Sequence, residues 1–321
     1  MRLGLLSTAR INDKLIKGAA EAPDVTITAI GSRDLARAEA YAAERGIETA
    51  HGSYEALLAD PNVDAVYISL PNALHHEWTM KALQAGKHVL AEKPYTLHPA
   101  EVDEAFDTAE RAGLVLTEAF MWRHHPQAHA LEELVRSEEI GELRMVRAAF
   151  GFMLDDPDDV RLSASLEGGA LTDVGCYCVS ASRLLGGEPV SVTAQAVRVP
   201  DGVDTRLTGT LRFASGLLAQ FGCWFDMPYR SEIEVFGSKG TAFVGDPFHS
   251  VDVGIDVVSL DGNKRRIEIE PLNPYGCELN VMAGVIAGTA SPVIGRADAL
   301  GQARTIDALY RAAASGAAVS L

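Results

Sequence analysis

Cysteine is scarce in this sequence, and the few present do not form a recognisable site. Cys176 and Cys178 stand two apart, which is neither a zinc-knuckle spacing nor a C-x-x-C redox pair, and Cys223 and Cys277 are isolated. All four read as reduced packing residues. The histidine pairs His75-His76 and His124-His125 have no cysteine or carboxylate at ligand spacing beside them, so no metal is expected. Basic charge is also in short supply. Against 44 carboxylates stand 28 lysines and arginines, a net charge of −16 with no basic cluster, which argues against a nucleic-acid partner. No apolar run approaches the length of a membrane span. The chain is strand-like from Arg2 onward with no cleavable leader, so a cytoplasmic location is expected.

What is present is a clear change of pattern near residue 120. Before it, apolar strand segments at 3–6, 25–30, 65–70, 89–91 and 114–119 alternate with helical segments at 11–21, 35–45, 53–59, 75–85 and 101–112. That alternation predicts a doubly wound parallel sheet. After it, a helix at 125–137 leads into alternating segments at 143–152, 190–199, 205–213, 217–225, 233–236, 251–260 and 264–269. Turn signals such as Ala214-Ser215-Gly216 and Asp261-Gly262-Asn263 separate them, which predicts a large, mostly antiparallel open sheet. A helix at 169–185 is inserted in it, and helices at 276–287 and 297–315 close the chain. The expected division is 1–120, a cofactor-binding α/β domain, and 121–321, an α+β domain for substrate and oligomerisation.

The stretch His88-Val89-Leu90-Ala91-Glu92-Lys93-Pro94 organises the first half. It reads as a buried parallel strand that ends in a lysine fixed against a proline. The proline restricts the backbone before it, so the Lys93 ammonium is aimed at the sheet's carboxyl edge, where open α/β sheets bind ligands.

The first strand-to-helix turn runs Gly4-Leu5-Leu6-Ser7-Thr8-Ala9-Arg10-Ile11-Asn12. A G-x-G-x-x-G fingerprint would put glycine where Ser7, Ala9 and Asn12 stand. Ser7 and Ala9 are small enough for close backbone approach, and the Ser7 and Thr8 hydroxyls are expected to donate to a pyrophosphate at the helix start, next to Ile11. At the end of the second strand, where an NAD enzyme carries an acid, this chain has Gly31-Ser32-Arg33 with Arg37 one turn on. A guanidinium beside a hydroxyl suits a 2′-phosphate, which favours NADP over NAD. Asp34 falls at the helix N-cap. Leu70, Pro71, Asn72 and His75, after the strand at 65–70, are expected near the nicotinamide end, with Glu92 and Lys93.

Three segments carry a resemblance: this N-terminal turn, Glu92-Lys93-Pro94, and Gly168-Gly169-Ala170-Leu171-Thr172-Asp173-Val174-Gly175-Cys176-Tyr177. Over nearly its whole length the chain resembles the glucose–fructose oxidoreductase, inositol dehydrogenase and rhizopine catabolism (Gfo/Idh/MocA) family. It looks most like the branch of NADP-dependent aldose dehydrogenases, dimeric dihydrodiol dehydrogenases and glucose–fructose oxidoreductase, which has tyrosine four residues after the aspartate, as Tyr177 here. The resemblance implies a Rossmann domain followed by an open-faced sheet that joins copies into a dimer or tetramer. It also implies a cis Lys93-Pro94 bond and a cofactor contact at Arg161.

Asp173 and Tyr177 are i, i+4 on the predicted helix and share a face. A free phenol, with pKa about 10, is a weak base at neutral pH, and a nearby ammonium stabilises its phenolate. Tyr177 is therefore read as the proton-transfer group, Lys93 as its activator and a donor to the substrate oxygen, and Asp173 as an orienting carboxylate. The sequence leaves open which of Lys93 and Tyr177 carries the proton. Trp122, Arg123, His124 and Tyr275 are candidate sugar-pocket residues. The expected activity is hydride exchange between NADP and a sugar or cyclic polyol, as in an aldose 1-dehydrogenase. A keto-sugar reductase and a non-catalytic NADP-binding regulator are the alternatives.

Overall fold

Strands β1 (Arg2–Leu6), β2 (Thr26–Gly31), β3 (Thr49–His51), β4 (Ala65–Ile68), β5 (His88–Glu92) and β6 (Leu116–Ala119) form an all-parallel sheet in the order β3-β2-β1-β4-β5-β6. Val66, Tyr67 and Ile68 of β4 and Val89, Leu90 and Ala91 of β5 are fully buried. Such continuous apolar runs are what a sheet covered on both faces requires. The strand order reverses between β1 and β4, and ligands of this sheet class bind beside that reversal, at the carboxyl ends. Helices α1 (Asn12–Ala19), α2 (Leu35–Arg45), α3 (Tyr54–Leu58), α4 (His75–Gln84) and α5 (Pro99–Ala112) make the connections. Asp34 and Ser53 cap α2 and α3 through their side chains, at 3.1 Å to the Arg37 N–H and 3.0 Å to the Ala56 N–H. The capping expected for Asp34 is thus observed.

The second sheet has nine strands: β7 (Leu143–Met153), β8 (Pro189–Arg198), β9 (Asp204–Phe213), β10 (Leu218–Trp224), β11 (Asp226–Gly237), β12 (Gly240–Gly245), β13 (Gly254–Ser259), β14 (Lys264–Glu268) and β15 (Val319–Ser320). Their order is β14-β13-β12-β11-β7-β10-β9-β8-β15, and only β7 and β10 pair in parallel. Alternation is strict along the central strands. Leu207 and Leu211 of β9, Ala219, Phe221 and Cys223 of β10, and Val146, Ala148 and Phe150 of β7 are buried on one face. Each fully buried large side chain of this kind stabilises the fold by about 1.5–3 kcal/mol. Helices α6 (Pro126–Arg136) and α7 (Cys176–Gly186) belong with this sheet, and α8 (Pro274–Ile286) and α9 (Arg296–Ser315) complete the chain.

In this computed structural model, which describes residues 1–251 and 253–321, the chain divides into two units. One is Met1–His124 with Asn273–Leu300, the other His125–Leu272 with Gly301–Leu321. The sequence pattern cuts the chain once, at 120, whereas α8 returns to the first unit. There α8 packs along α1, where Gly18 admits it: a Cβ at Gly18 would lie 2.6 Å from that of Tyr275. Two short strands, β3 and β12, carry too little apolar alternation to stand out in the sequence. The segment expected at 251–260 is shorter, beginning at Gly254, and its second residue, Asp252, lies outside the described residues. No helix among the described residues is long and apolar enough to cross a membrane.

Candidate active site

In the first unit the turn after β1 keeps a glycine-like backbone without glycine. Ser7 has φ 140°, a region that L side chains rarely adopt. The Asn12 side chain, fully buried, donates to the Ser7 carbonyl at 2.7 Å and braces the turn from the third fingerprint position. The Ser7 hydroxyl lies 3.1 Å from the Ser69 carbonyl and 2.8 Å from its hydroxyl, and accepts the Ala9 N–H at 3.2 Å. Expected as a pyrophosphate donor, the hydroxyl here ties β1's end to β4's end. Thr8, Ala9 and Ile11 remain half-buried on the turn.

At the end of β2, Ser32 is buried and accepts the Asp34 N–H at 3.3 Å. Arg33 and Arg37 are exposed, and both guanidinium charges act on the Tyr54 phenol, so they occupy neighbouring positions. Two exposed arginines with no acid at the strand end fit a 2′-phosphate, and a small-residue turn with positive φ fits a pyrophosphate. NADP would be held by these residues.

Leu70 is buried, and Pro71 and Asn72 are half-buried at the start of the next connection. His75 lies deeper. Its fully buried imidazole sits 2.7 Å from the Leu70 carbonyl and 3.0 Å from the Pro94 carbonyl. Burial pushes its pKa down, so the neutral ring donates through one nitrogen. Expected near the nicotinamide, His75 stands between the 70–75 connection and the Pro94 carbonyl, which follows the cis Lys93-Pro94 bond.

Lys93 is half-buried just past the end of β5. Glu92 before it accepts the buried Tyr67 hydroxyl and, at 3.3 Å, the Lys93 N–H. Burial and the charge of Glu92 together push the Tyr67 phenol well up. On the other side Glu118 of β6, 3 % exposed, accepts the Tyr95 N–H at 2.8 Å. The backbone carrying Lys93 is thus pinned from β4, β6 and α4.

The candidate pocket residues of this unit turn inward. Trp122, Arg123 and His124 form one turn of 3₁₀ helix and are all buried. Arg123 pairs with Asp298 at 3.2 Å, and the His124 Nε2 is 3.9 Å from Glu278. Arg123, expected at the sugar pocket, thus makes an ion pair within the unit. Tyr275, 7 % exposed, begins α8 beneath the Asn273 cap.

Asp173 and Tyr177 lie in the second unit. The sequence predicts one continuous α-helix there, but Leu171–Gly175 is a π turn that passes into α7 at Cys176. Such single π turns are enriched at functional sites. Several contacts hold it. The Leu171 N–H donates to Asp204 at 2.8 Å, and Gln302 donates to the Cys176 carbonyl at 2.7 Å. Gly175 lets β10 approach, since a Cβ there would lie 2.7 Å from the Cys223 sulfur. Gly169, at φ 141°, leaves room for the Asp204 carboxylate, 2.3 Å from where a Cβ would stand. Tyr177 is 5 % exposed and its ring meets Phe150 and Phe248 at centroid distances of 5.3 Å. Arg161, expected at the cofactor, pairs with Asp173 (2.7 Å) and Asp159 (3.2 Å). Those two carboxylates hold the guanidinium above its ordinary range.

Asp204, Gln302 and Glu118 brace these segments, and motif reading misses them. Each is a buried polar residue whose partners are remote in sequence, so no local spacing marks it.

Residues 1–120 match the oxidoreductase family's NAD-binding Rossmann fold and residues 128–243 the GFO/IDH/MocA C-terminal domain. The chain is 42% identical to a D-xylose 1-dehydrogenase (NADP(+)) of Haloferax volcanii, over 100% of both chains. It belongs to the Gfo/Idh/MocA family. Among solved structures, KijD10, a 3-ketoreductase of Actinomadura kijaniata held with NADP and TDP-benzene, is 30% identical over 97% of each chain with TM-score 0.90. The aldose-aldose oxidoreductase of Caulobacter crescentus is 27% identical over 100% of this chain and 99% of that one, with TM-score 0.93.

Asp204 joins Leu171, Gly169 and the Tyr310 hydroxyl (2.8 Å) at the base of the π turn. Asp204→Ala leaves two buried donors without an acceptor and is expected to lower unfolding stability by about 2–4 kcal/mol. Asp204→Asn, which keeps one acceptor, should lose less than half of that. Denaturant titration of both variants checks the order.

Proposed function

We infer that this family member is an NADP-dependent oxidoreductase acting on a sugar or cyclic polyol, with aldose 1-dehydrogenase activity as the leading form. The observation that carries the reading is Lys93, half-buried and braced at the carboxyl end of β5, in a sheet whose reversal lies between β1 and β4. The NADP preference rests on Arg33 and Arg37, with the Haloferax enzyme's cofactor in support.

NADP, when bound, accepts or supplies the hydride. This chain's residues handle the rest. Lys93 donates a hydrogen bond to the substrate oxygen and stabilises negative charge on Tyr177, whose phenol oxygen takes the hydroxyl proton during oxidation and returns it during reduction. Asp173, fixed by Arg161, orients the substrate hydroxyl or the ammonium. Phe150 and Phe248, buried and stacked at 5.2 Å, pack against the Tyr177 ring and hold it in place. A keto-sugar reductase uses the same groups in reverse, and the likeness to a 3-ketoreductase favours it as the second reading. A regulator without turnover would have no need of Lys93, Asp173 and Tyr177 together.

The outer face of the nine-stranded sheet is proposed to join copies of the chain. It holds a broad concavity of about 780 Å³ lined by short and polar side chains, among them Thr193, Thr208, Thr210 and Gln220.

Aldoses, cyclic polyols and dihydrodiols assayed with NADP and NAD at the nicotinamide absorbance should show turnover of a sugar or polyol with NADP preferred. In Arg33→Ala the KM for NADP should rise by roughly tenfold or more while that for NAD changes little, in line with a lost charge-assisted contact. An equal effect on both cofactors, or binding of NADPH without turnover of any substrate, would overturn the assignment.

For the assembly, sedimentation should give a dimer or tetramer of the 34.2 kDa chain, and Gln220→Arg should shift it toward monomer. A wild-type monomer at all concentrations would rule out the interface.

A further inference from the structure

Asp246, Tyr229 and His249 form a polar cluster of the second unit that the proposed chemistry does not use. Tyr229, on β11, donates its hydroxyl to the Asp246 Oδ1 at 2.7 Å. The same hydroxyl lies 3.3 Å from the His249 Nδ1, so the ring nitrogen is the donor of that pair. Partial burial and the Asp246 carboxylate both push the phenol up, which keeps it the donor to Asp246. The loop at 246–250 holds an unusual backbone, with φ of 48° at Asp246 and 54° at Ser250. Such geometry persists only where the surroundings over-determine it. Here the Asp246 N–H donates to the Ser231 carbonyl at 2.8 Å and the Ser250 N–H to the Asp246 carbonyl at 3.0 Å, while the buried Phe248 stacks on Phe150. What the loop secures is a carboxylate with one oxygen engaged and one edge left over. The Asp246 Oδ2 accepts no hydrogen bond among the described residues, and the side chain is 17% exposed beside the exposed Tyr229.

The cluster stands next to the proposed proton-transfer group. The Phe150 ring lies 5.3 Å from that of Tyr177, 5.4 Å from that of His249 and 6.4 Å from that of Tyr229, between centroids. One aromatic side chain thus separates the Tyr177 ring from the two rings of the cluster. We propose that Asp246, oriented by Tyr229, is a specificity-determining residue that accepts hydrogen bonds from two neighbouring hydroxyls of the substrate, away from its reacting carbon. The inference rests on the oxidoreductase reading and narrows it to a neutral, polyhydroxylated sugar. A carboxylate only accepts, and its paired oxygens suit two hydroxyls on adjacent carbons as they suit the paired donors of a guanidinium. Oδ1 keeps a second lone pair beside the Tyr229 bond, and Oδ2 supplies the other acceptor. Charge acts in the same direction. A phosphorylated or nucleotide-linked sugar would bring its anion toward Asp246 in a chain of net charge −16, so repulsion selects against it. A dihydrodiol is disfavoured too, since both its hydroxyls lie at the reacting end.

The test uses the intact chain loaded with NADPH, so that an aldose binds without being oxidised. It is titrated calorimetrically with D-glucose, D-xylose, their single-deoxy analogues and D-glucose 6-phosphate. Asp246→Asn is the informative variant, because asparagine tolerates the left-handed backbone of this position. At least one of the two neutral sugars should bind the wild type, and loss of one particular hydroxyl should weaken it by roughly tenfold or more, the scale of a charge-assisted hydrogen bond. Asp246→Asn should weaken the parent sugar by a similar factor and the matching deoxy sugar scarcely further. The 6-phosphate should bind the wild type about tenfold more weakly than glucose, with a smaller gap in the variant. Tyr229→Phe, which leaves the carboxylate without its brace, should keep the same hydroxyl preference in reduced form. In turnover assays the loss in Asp246→Asn should fall on KM, with kcat kept within about threefold, because the contact is equal in ground and transition states. A merely structural role would weaken every sugar alike. No binding of either sugar, equal weakening of all analogues, or an unaffected Asp246→Asn overturns the proposal, and in the last case turnover of a sugar leaves the oxidoreductase reading standing. A hydroxyl preference that depends on Asp246, without turnover of the bound sugar, supports the site and removes the oxidoreductase reading.

Discussion

A lysine can serve as a fixed cation beside a reacting oxygen only if the backbone beneath it cannot move, and that constraint accounts for much of the first unit. Glu92, Glu118 and His75 hold the peptide on either side of Lys93 from three different elements. None of the three needs to touch substrate for this. The burial of Glu118 and His75 makes the arrangement stiff, since any displacement would leave a buried polar group unsatisfied at about 1–3 kcal/mol. Pre-organisation of this sort is what lets electrostatic stabilisation act without reorganisation during a reaction.

The second unit solves the same problem for Tyr177 by different means. Its π turn is an unfavourable local geometry that isolated chains rarely hold, and it persists because Asp204, Gln302 and Cys223 fix it from three sides. Arg161 does for the Asp173 carboxylate what Glu118 does for the Tyr95 amide. In both units, then, buried polar side chains from distant parts of the sequence fix a short segment that carries proposed site residues, and the sheets supply the rigid frame on which they stand.

Much of this was legible beforehand, for identifiable reasons. The parallel strands around Tyr67 and Leu90 are apolar throughout, and helices with clear caps such as Asp34 and Ser53 separate them, so periodicity alone places them. The π turn is invisible because Leu171, Val174 and Cys178 keep an ordinary helical spacing of apolar residues. The return of α8 to the first unit is invisible too: an apolar face says that a helix packs, not on which sheet. Charge and imidazole beside a strand end, as at Arg123 and His75, look functional in the sequence whatever they contact. Their partners, Asp298 and the Leu70 and Pro94 carbonyls, become neighbours only in the fold.

The central proposal is that the Lys93 ammonium and the Tyr177 phenol act on one substrate oxygen. A double-mutant cycle of Lys93→Met and Tyr177→Phe, read by single-turnover hydride transfer with saturating NADP, tests it directly. Each single change should slow the step by roughly 10²-fold or more, and the double variant should be scarcely slower than the worse single. Independent, multiplicative losses in the double variant would contradict the account.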